Sequence, residues 1–340
     1  MKKILILLLS IAALFLACGE SPRARDGKLN VVASTSILGD VVSQIGGEAI
    51  NLTVLMPADA DPHGYELTFA DLEVLKDTDV VFLNGLHLEE GIEKNLRDNT
   101  SATIIEVSEG IDVLEGDHDH DHEADHEDED HDHDHEGEPH DEDKDHDHDH
   151  EADHHDEDHD HDHAQDPHTW TSVKNVMVWS EAIFAALAAA DSENATAYSE
   201  NLASYKSTLE ALDAWIADET AKIPAENRII VADHKVWGYF ARDYGFEVGH
   251  VLIPSFSTTA EPTAKDLAEL IEEMREENIP AVFLGNTASS GVQSLAEILA
   301  TELGREIKIL DYLSGSLTSE VNTYEAYMRY NVSQFVQGLQ

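Results

Sequence analysis

From residue 29 onward, short apolar runs alternate with amphipathic stretches. The runs 29–33, 51–56, 79–84 and 103–107 read as strands, with helical periodicity over 37–45, 69–76 and 89–97 between them. The same grammar resumes at 228–232, 247–253, 281–284 and 307–310, interleaved with helices at 236–244, 264–277 and 292–303 and closed by one at 321–338. The strand runs are almost continuously Val, Ile and Leu, as in parallel sheets covered on both faces. Strands alternating with helices predict an α/β fold: two lobes, each with a parallel four-stranded sheet flanked by helices.

The segment between the lobes has its own pattern. Residues 173–190 are Ala-rich and helical, and Asp191-Ser192 makes a break with a good N-cap. Neither Pro nor Gly interrupts 193–222, and Pro224 ends the run. That predicts a long rigid helix of roughly 30 residues, about 45 Å, joining the lobes as a stiff strut. Such a strut implies modest lobe movement rather than a wide hinge.

Charge changes the picture. Against 20 Lys and Arg stand 71 Asp and Glu, a formal net charge of −51. A chain this acidic lacks the basic surface that phosphate contacts need, so no nucleic-acid partner is expected. The acidity is concentrated: residues 117–163 hold 16 His and 26 Asp plus Glu with one Lys, so they carry −25 of the total. With almost no apolar side chains this insert is expected to be disordered without metal and to bind several zinc ions through its imidazoles. Capture, inward transfer and signalling of a filled site are all compatible with it.

The N-terminus reads as an export signal. Lys2 and Lys3 precede an apolar stretch, 4–16, too short for an ordinary transmembrane helix of about 20 residues. The tetrapeptide Phe15-Leu16-Ala17-Cys18 follows, with Phe15 where a lipobox usually has Leu. Cys18 is the one cysteine of the chain, which excludes an intramolecular disulfide and a Cys-based zinc cluster. The expected layout is a signal peptide over 1–17 and a tether lipidated on Cys18 over 18–28. An N-terminal lobe over 29–190 carries the insert 117–163, a connecting helix spans 191–223, and a C-terminal lobe covers 224–340. No later run looks apolar and long enough to span a bilayer.

Candidate chemistry lies just after the strands, where open α/β sheets bind ligands. Asp61-Pro62-His63 follows the second strand, and Asp166-Pro167-His168 follows the fourth strand and the insert. The strand at 228–232 runs into Asp233-His234, and the last strand into Asp311-Tyr312. Three neutral imidazoles and one carboxylate make a four-coordinate shell that suits zinc, and the prolines stiffen the turns. The paired Asp-Pro-His motifs carry this inference. Asp166 and Asp233 are placed either to hold imidazole N–H groups or to cap turns. His87 reads as a surface or lobe-packing residue and His250 as structural, while Trp170, Trp237 and Tyr239 are expected to pack around the site.

At these residues the chain resembles the metal-binding receptors of bacterial ABC importers, in the high-affinity zinc-uptake branch. The resemblance covers nearly all of the mature chain and rests on DPHGYE (61–66), NGLHLE (84–89), DPHTW (166–170), DHKVWGYFARDYG (233–245), AEPTAKDL (260–267) and TYEAYMRYN (323–331). It implies His63, His168, His234 and Asp311 as metal ligands, and Zn²⁺ as a transported ligand handed to an ABC permease and its ATPase. It further implies an extracytoplasmic lipoprotein, a monomer, and no enzyme activity. Manganese members generally carry Glu where His234 stands, and imidazole favours zinc as added oxygen favours manganese. The chain departs from the family pattern at Glu261-Pro262-Thr263-Ala264, where EPSP is common. It departs again at Asn286, where an acid is common, and at Leu310-Asp311-Tyr312, where Leu-Asp-Pro is common.

Three rival readings are distinguishable. A manganese or iron receptor of the same type would prefer those metals in competition. A zinc hydrolase would need a general base beside the three histidines, and its activity would vanish with His234→Ala. A zinc-storing surface lipoprotein would lose its metal with the insert.

Overall fold

The computed structural model describes residues 27–116, 165–260 and 262–340. The export signal, Cys18, the insert 117–163 and Glu261 lie outside the described residues. The chain divides into two compact units, residues 1–111 with 167–340, and Asp112–Asp166. In the smaller unit an antiparallel bridge pairs Glu115 with Gln165, and the Asp166 amide donates to the Leu114 carbonyl at 2.8 Å.

The larger unit contains both sheets. The first is built from β1 (Leu29–Ala33), β2 (Ile50–Val54), β3 (Val80–Leu83) and β4 (Thr103–Glu106), all parallel, in the order β2-β1-β3-β4. The second repeats that order: β5 (Ile229–His234), β6 (Glu247–Ile253), β7 (Ala281–Gly285) and β8 (Lys308–Tyr312) run β6-β5-β7-β8. In each sheet the order reverses beside the first strand, which opens a crevice at the carboxyl ends of the strands. The expected two-lobe α/β architecture is therefore present, each lobe a parallel four-stranded sheet with helices.

The helices are α1 (Ser36–Gly46), α2 (Phe69–Lys76), α3 (Glu90–Asn99), α4 (Val173–Ala190), α5 (Ala195–Thr220), α6 (Gly238–Tyr244), α7 (Ala264–Glu276), α8 (Ser290–Glu302) and α9 (Tyr324–Leu339). Their starts are written into the sequence. Thr35, Thr68, Ser172, Thr263, Ser289 and Thr323 each accept a backbone N–H of the first turn. Thr68 with Asp71 and Thr263 with Asp266 form complete capping boxes. The Thr263 box is solvent-exposed, so Thr263→Ala is expected to cost about 1 kcal/mol without touching the core. Urea unfolding at neutral pH measures it.

Helix α5 has 26 residues, about 39 Å at 1.5 Å per residue, slightly shorter than the sequence suggests. It is less a bare strut than a packed element: α4, α1 and α9 lie against it, and Tyr198, Tyr205, Leu209, Leu212 and Ile216 are buried along it. Helix α4, at 18 residues, does have the length and apolarity of a short membrane span, contrary to expectation. Its buried Asn175, Trp179 and Ser180 and its packing on α1 and α5 mark it as a core helix of the folded unit.

The second lobe pairs an aliphatic core, with Val231, Leu252, Leu270 and Val282 in it, with an aromatic cluster under α9. Phe335 of α9 meets Trp237, Phe240 and Phe283 at ring-centroid distances of 4.9, 5.4 and 5.0 Å. Gly338 lets α9 come this close, because a Cβ there would lie 2.6 Å from Phe283 Cζ. These contacts fix β5, and thus the residues at its end.

Candidate metal centre

Three of the four residues singled out from the sequence converge. One nitrogen from each of His63, His168 and His234 lies within 4.8 Å of the other two. Ring centroids are 5.2 Å apart for His63–His168, 5.8 Å for His63–His234 and 5.1 Å for His168–His234. The Nε2 atoms of His63 and His168 are 3.2 Å apart. His168 and His234 are fully buried. His234 Nε2 is buried with no hydrogen-bond partner among the described residues, as a metal-ligand atom would be.

Each histidine is held by local chemistry. His63 leaves the loop after β2, and its amide donates to Asp61 Oδ1 at 3.0 Å. The other oxygen of Asp61 accepts from Thr258 Oγ1 of the second lobe at 2.6 Å, and Pro62 lies against Gly315. The Asp-Pro-His motif thus fastens the ligand loop to the opposite lobe.

His168 is positioned by the NGLHLE segment. Asn84 donates to the Pro167 carbonyl at 2.9 Å, and Thr169 Oγ1 donates to Asn84 Oδ1 at 3.2 Å. Asn84 is in turn held by the buried Glu89, which accepts from the Asn84 and Gly85 amides and from Ser34 Oγ. Burial pushes the Glu89 carboxyl up despite these donors. The grip of Glu89 also explains the backbone between. Gly85, Leu86 and His87 all have positive φ, at 84°, 54° and 61°, a run that costs energy for non-glycine residues. His87 itself is exposed. Trp170 packs edge-on against His168 at 5.2 Å, its indole donating to Ser314 and Tyr327.

His234 ends β5. Its Nδ1 lies 3.1 Å from Asp233 Oδ2. Asp233 Oδ1 accepts from Tyr312 Oη and, at 3.1 Å, from the Gly285 amide. Burial pushes the Asp233 carboxyl up, but the His234, Tyr312 and Gly285 donors outweigh it and hold it below its ordinary value. Burial, reinforced by His168 and His234, lowers His63 to about 3. Burial, with His234 behind it, lowers His168 well below the ordinary imidazole range. Both shifts favour neutral imidazole at His63 and His168, the form that binds metal.

Asp311 is not brought to this cluster. The sequence suggests that the last strand ends at residue 310, which would put Asp311 in a free loop. The strand instead runs on, with Leu284 opposite Asp311 and Gly285 opposite Tyr312. Side chains alternate along a strand, so only one of two neighbours can face inward. Tyr312 takes that place, fully buried, while Asp311 is exposed and near enough to Tyr330 of α9 to raise its pKa. Tyr312, and Asp61 and Thr258 as a bridge between lobes, are the site residues that strand-end reasoning missed. Asp61 had a sequence signal in its Asp-x-His spacing; Thr258 had none. His250 sits on the surface between Glu273 and Glu277 of α7, consistent with a structural role.

Twin parallel sheets with imidazoles gathered at the strand ends define a two-lobed metal-binding receptor. The model of the family described as "Zinc-uptake complex component A periplasmic" (ZnuA) matches residues 31–338, and the chain belongs to that family. The manganese-binding lipoprotein MntA of Halalkalibacterium halodurans is 29% identical across all of this chain and 99% of its own length. The manganese ABC transporter substrate-binding lipoprotein PsaA of Streptococcus pneumoniae is 26% identical, again over 100% of this chain and 99% of its own. Among solved structures, the periplasmic zinc-binding protein TroA of Treponema pallidum superposes with a TM-score of 0.73 at 25% identity, covering 92% of this chain and 99% of its own. The Mn-bound periplasmic metal-binding protein of Candidatus Liberibacter asiaticus gives 0.71 at 25% identity, covering 92% and 100%. The protein is thus an extracytoplasmic substrate-binding component of an ABC metal importer, a receptor and not an enzyme, and its cargo is a divalent metal ion.

Proposed function

We propose that the cargo is Zn²⁺, held by His63, His168 and His234. The observation that carries this reading is the donor set: three converging imidazole nitrogens with no carboxylate among them. Nitrogen donors suit zinc, whereas manganese prefers carboxylate oxygen. The receptor is anchored by a lipid on Cys18 and a tether over 18–28, acts as a monomer, and passes metal to a permease driven by its ATPase. Its N-terminal lobe spans 29–190, its connecting helix 191–223 and its C-terminal lobe 224–340. The insert 117–163 is an accessory that collects zinc around the receptor.

Manganese is the second reading, favoured by the names of MntA and PsaA. Titration of the mature chain, with and without residues 117–163, against a chelator of known affinity tests both readings. One tight zinc per chain that survives deletion of the insert, and that excess manganese does not displace, is the expected outcome. A tight site that manganese fills in preference reverses the assignment. Loss of all tight binding with the insert moves the function there.

A further inference from the structure

A three-imidazole site leaves the charge of a divalent ion without a direct counter-charge, and it works only if every ring presents its free nitrogen inward. The structure holds a device behind one ring that meets both needs. Asp233 is 1% exposed, and its carboxylate touches His234 Nδ1 through one oxygen and Tyr312 Oη and the Gly285 amide through the other. Three donors from three strands fix this carboxylate: β5 supplies His234, β7 supplies Gly285 and β8 supplies Tyr312. The niche is shaped for it, since a Cβ on Gly285 would come within 3.2 Å of Asp233 Oδ2 and 3.0 Å of Ser314 Cβ. An ionised carboxylate only accepts hydrogen bonds, so the proton must sit on His234 Nδ1. The free electron pair is then on Nε2, the buried atom with no hydrogen-bond partner among the described residues.

We propose that Asp233 is the positioning residue that sets the metal preference of the site. Locked by Tyr312, it holds His234 in the Nδ1–H tautomer and supplies, one hydrogen bond behind the metal, the negative charge that Asp311 does not supply directly. A carboxylate behind an imidazole makes the ring a stronger donor, and this benefits a nitrogen-seeking ion more than an oxygen-seeking one. Exclusion of Asp311 and recruitment of Tyr312 are then one event: the residue that turns inward from β8 serves Asp233 rather than the metal.

This inference rests on the proposed histidine site, and its test separates the two. The variants are Asp233→Asn, Tyr312→Phe and His234→Ala in the mature chain. The readouts are zinc and manganese affinity by chelator competition and ¹⁵N chemical shifts of the His234 ring in the metal-free protein. Asp233→Asn places an N–H donor beside Nδ1 and is expected to shift the ring toward the Nε2–H tautomer. Zinc affinity should fall about tenfold to a hundredfold, with a smaller loss for manganese. Tyr312→Phe removes one of the donors on Asp233 and is expected to keep the tautomer, move the Nδ1 resonance and lower zinc affinity by about tenfold or less. A merely structural Asp233 would move neither the tautomer nor the zinc-to-manganese ratio. Wild-type shifts and affinities in both Asp233→Asn and Tyr312→Phe overturn the inference, as does a switched tautomer with unchanged zinc affinity. Should Asp233→Asn fail to fold, Tyr312→Phe decides alone on the same two readouts. Tight metal binding retained in His234→Ala instead overturns the histidine site itself.

Discussion

His234→Ala is expected to weaken tight zinc binding by about a hundredfold to a thousandfold while leaving the fold intact. A four-ligand structural zinc site contributes about 10–16 kcal/mol, so one ligand accounts for about 3–4 kcal/mol, or two to three decades of affinity. The loss falls at the upper end here because His234 is fully buried and its Nε2 has no hydrogen-bond partner among the described residues. Truncation also strips Asp233 of one of its three donors, which leaves a buried carboxylate less well satisfied. Competition against a chelator gives the affinity, and a thermal melt without metal checks folding. Retention of wild-type affinity would sink the assignment of His234 as a ligand.

Acid is expected to destabilise the metal-free protein. The sign follows from linkage. Burial lowers His63 to about 3, so in the folded state it stays neutral at pH 5, and burial lowers His168 well below the ordinary value in the same sense. In the unfolded chain both titrate near 6.5 and bind protons below it. The stability contributed by the neutral rings is therefore complete above about pH 6.5 and is lost as pH falls from there toward 3. At pH 5 the cost is about 2 kcal/mol for His63, and His168 adds to it in the same direction. Glu89 works in the opposite direction, since burial raises its pKa and acid favours its folded neutral form. Comparison with His63→Gln isolates the imidazole contribution: the loss of urea stability between pH 7.5 and 5 should shrink by about 2 kcal/mol in the variant.

The paired βα grammar and the capping threonines and serines were legible because they are local. An apolar run, a Thr at an N-cap and a Pro after a helix each act within a few residues. The identity of the three histidines was legible for a related reason: parallel α/β lobes expose their strand ends, so His63, His168 and His234 were already assigned to the right edge of each sheet. Helix α5 is shorter than the Pro- and Gly-free run 193–222 because it starts after its N-cap Asn194 and stops at Thr220, ahead of Pro224. The membrane-like apolarity of α4 was missed because an Ala-rich helix with Asn and Ser in it reads as ordinary until its hydropathy is averaged.

What tertiary structure alone decided was the direction of each side chain. Two more residues in β8 turn Asp311 outward and Tyr312 inward, because strand alternation allows no other choice once Gly285 has Tyr312 opposite it. The link between Asp61 and Thr258 joins residues 197 positions apart, and the one between Asp233 and Tyr312 joins residues 79 apart. No local pattern encodes such pairs, since they exist only after both sheets have formed and packed. Two lobes with histidines after their strands follow from local pattern, because each signal acts within a few residues. Which carboxylate stands behind them, and which one faces solvent, was settled by strand register.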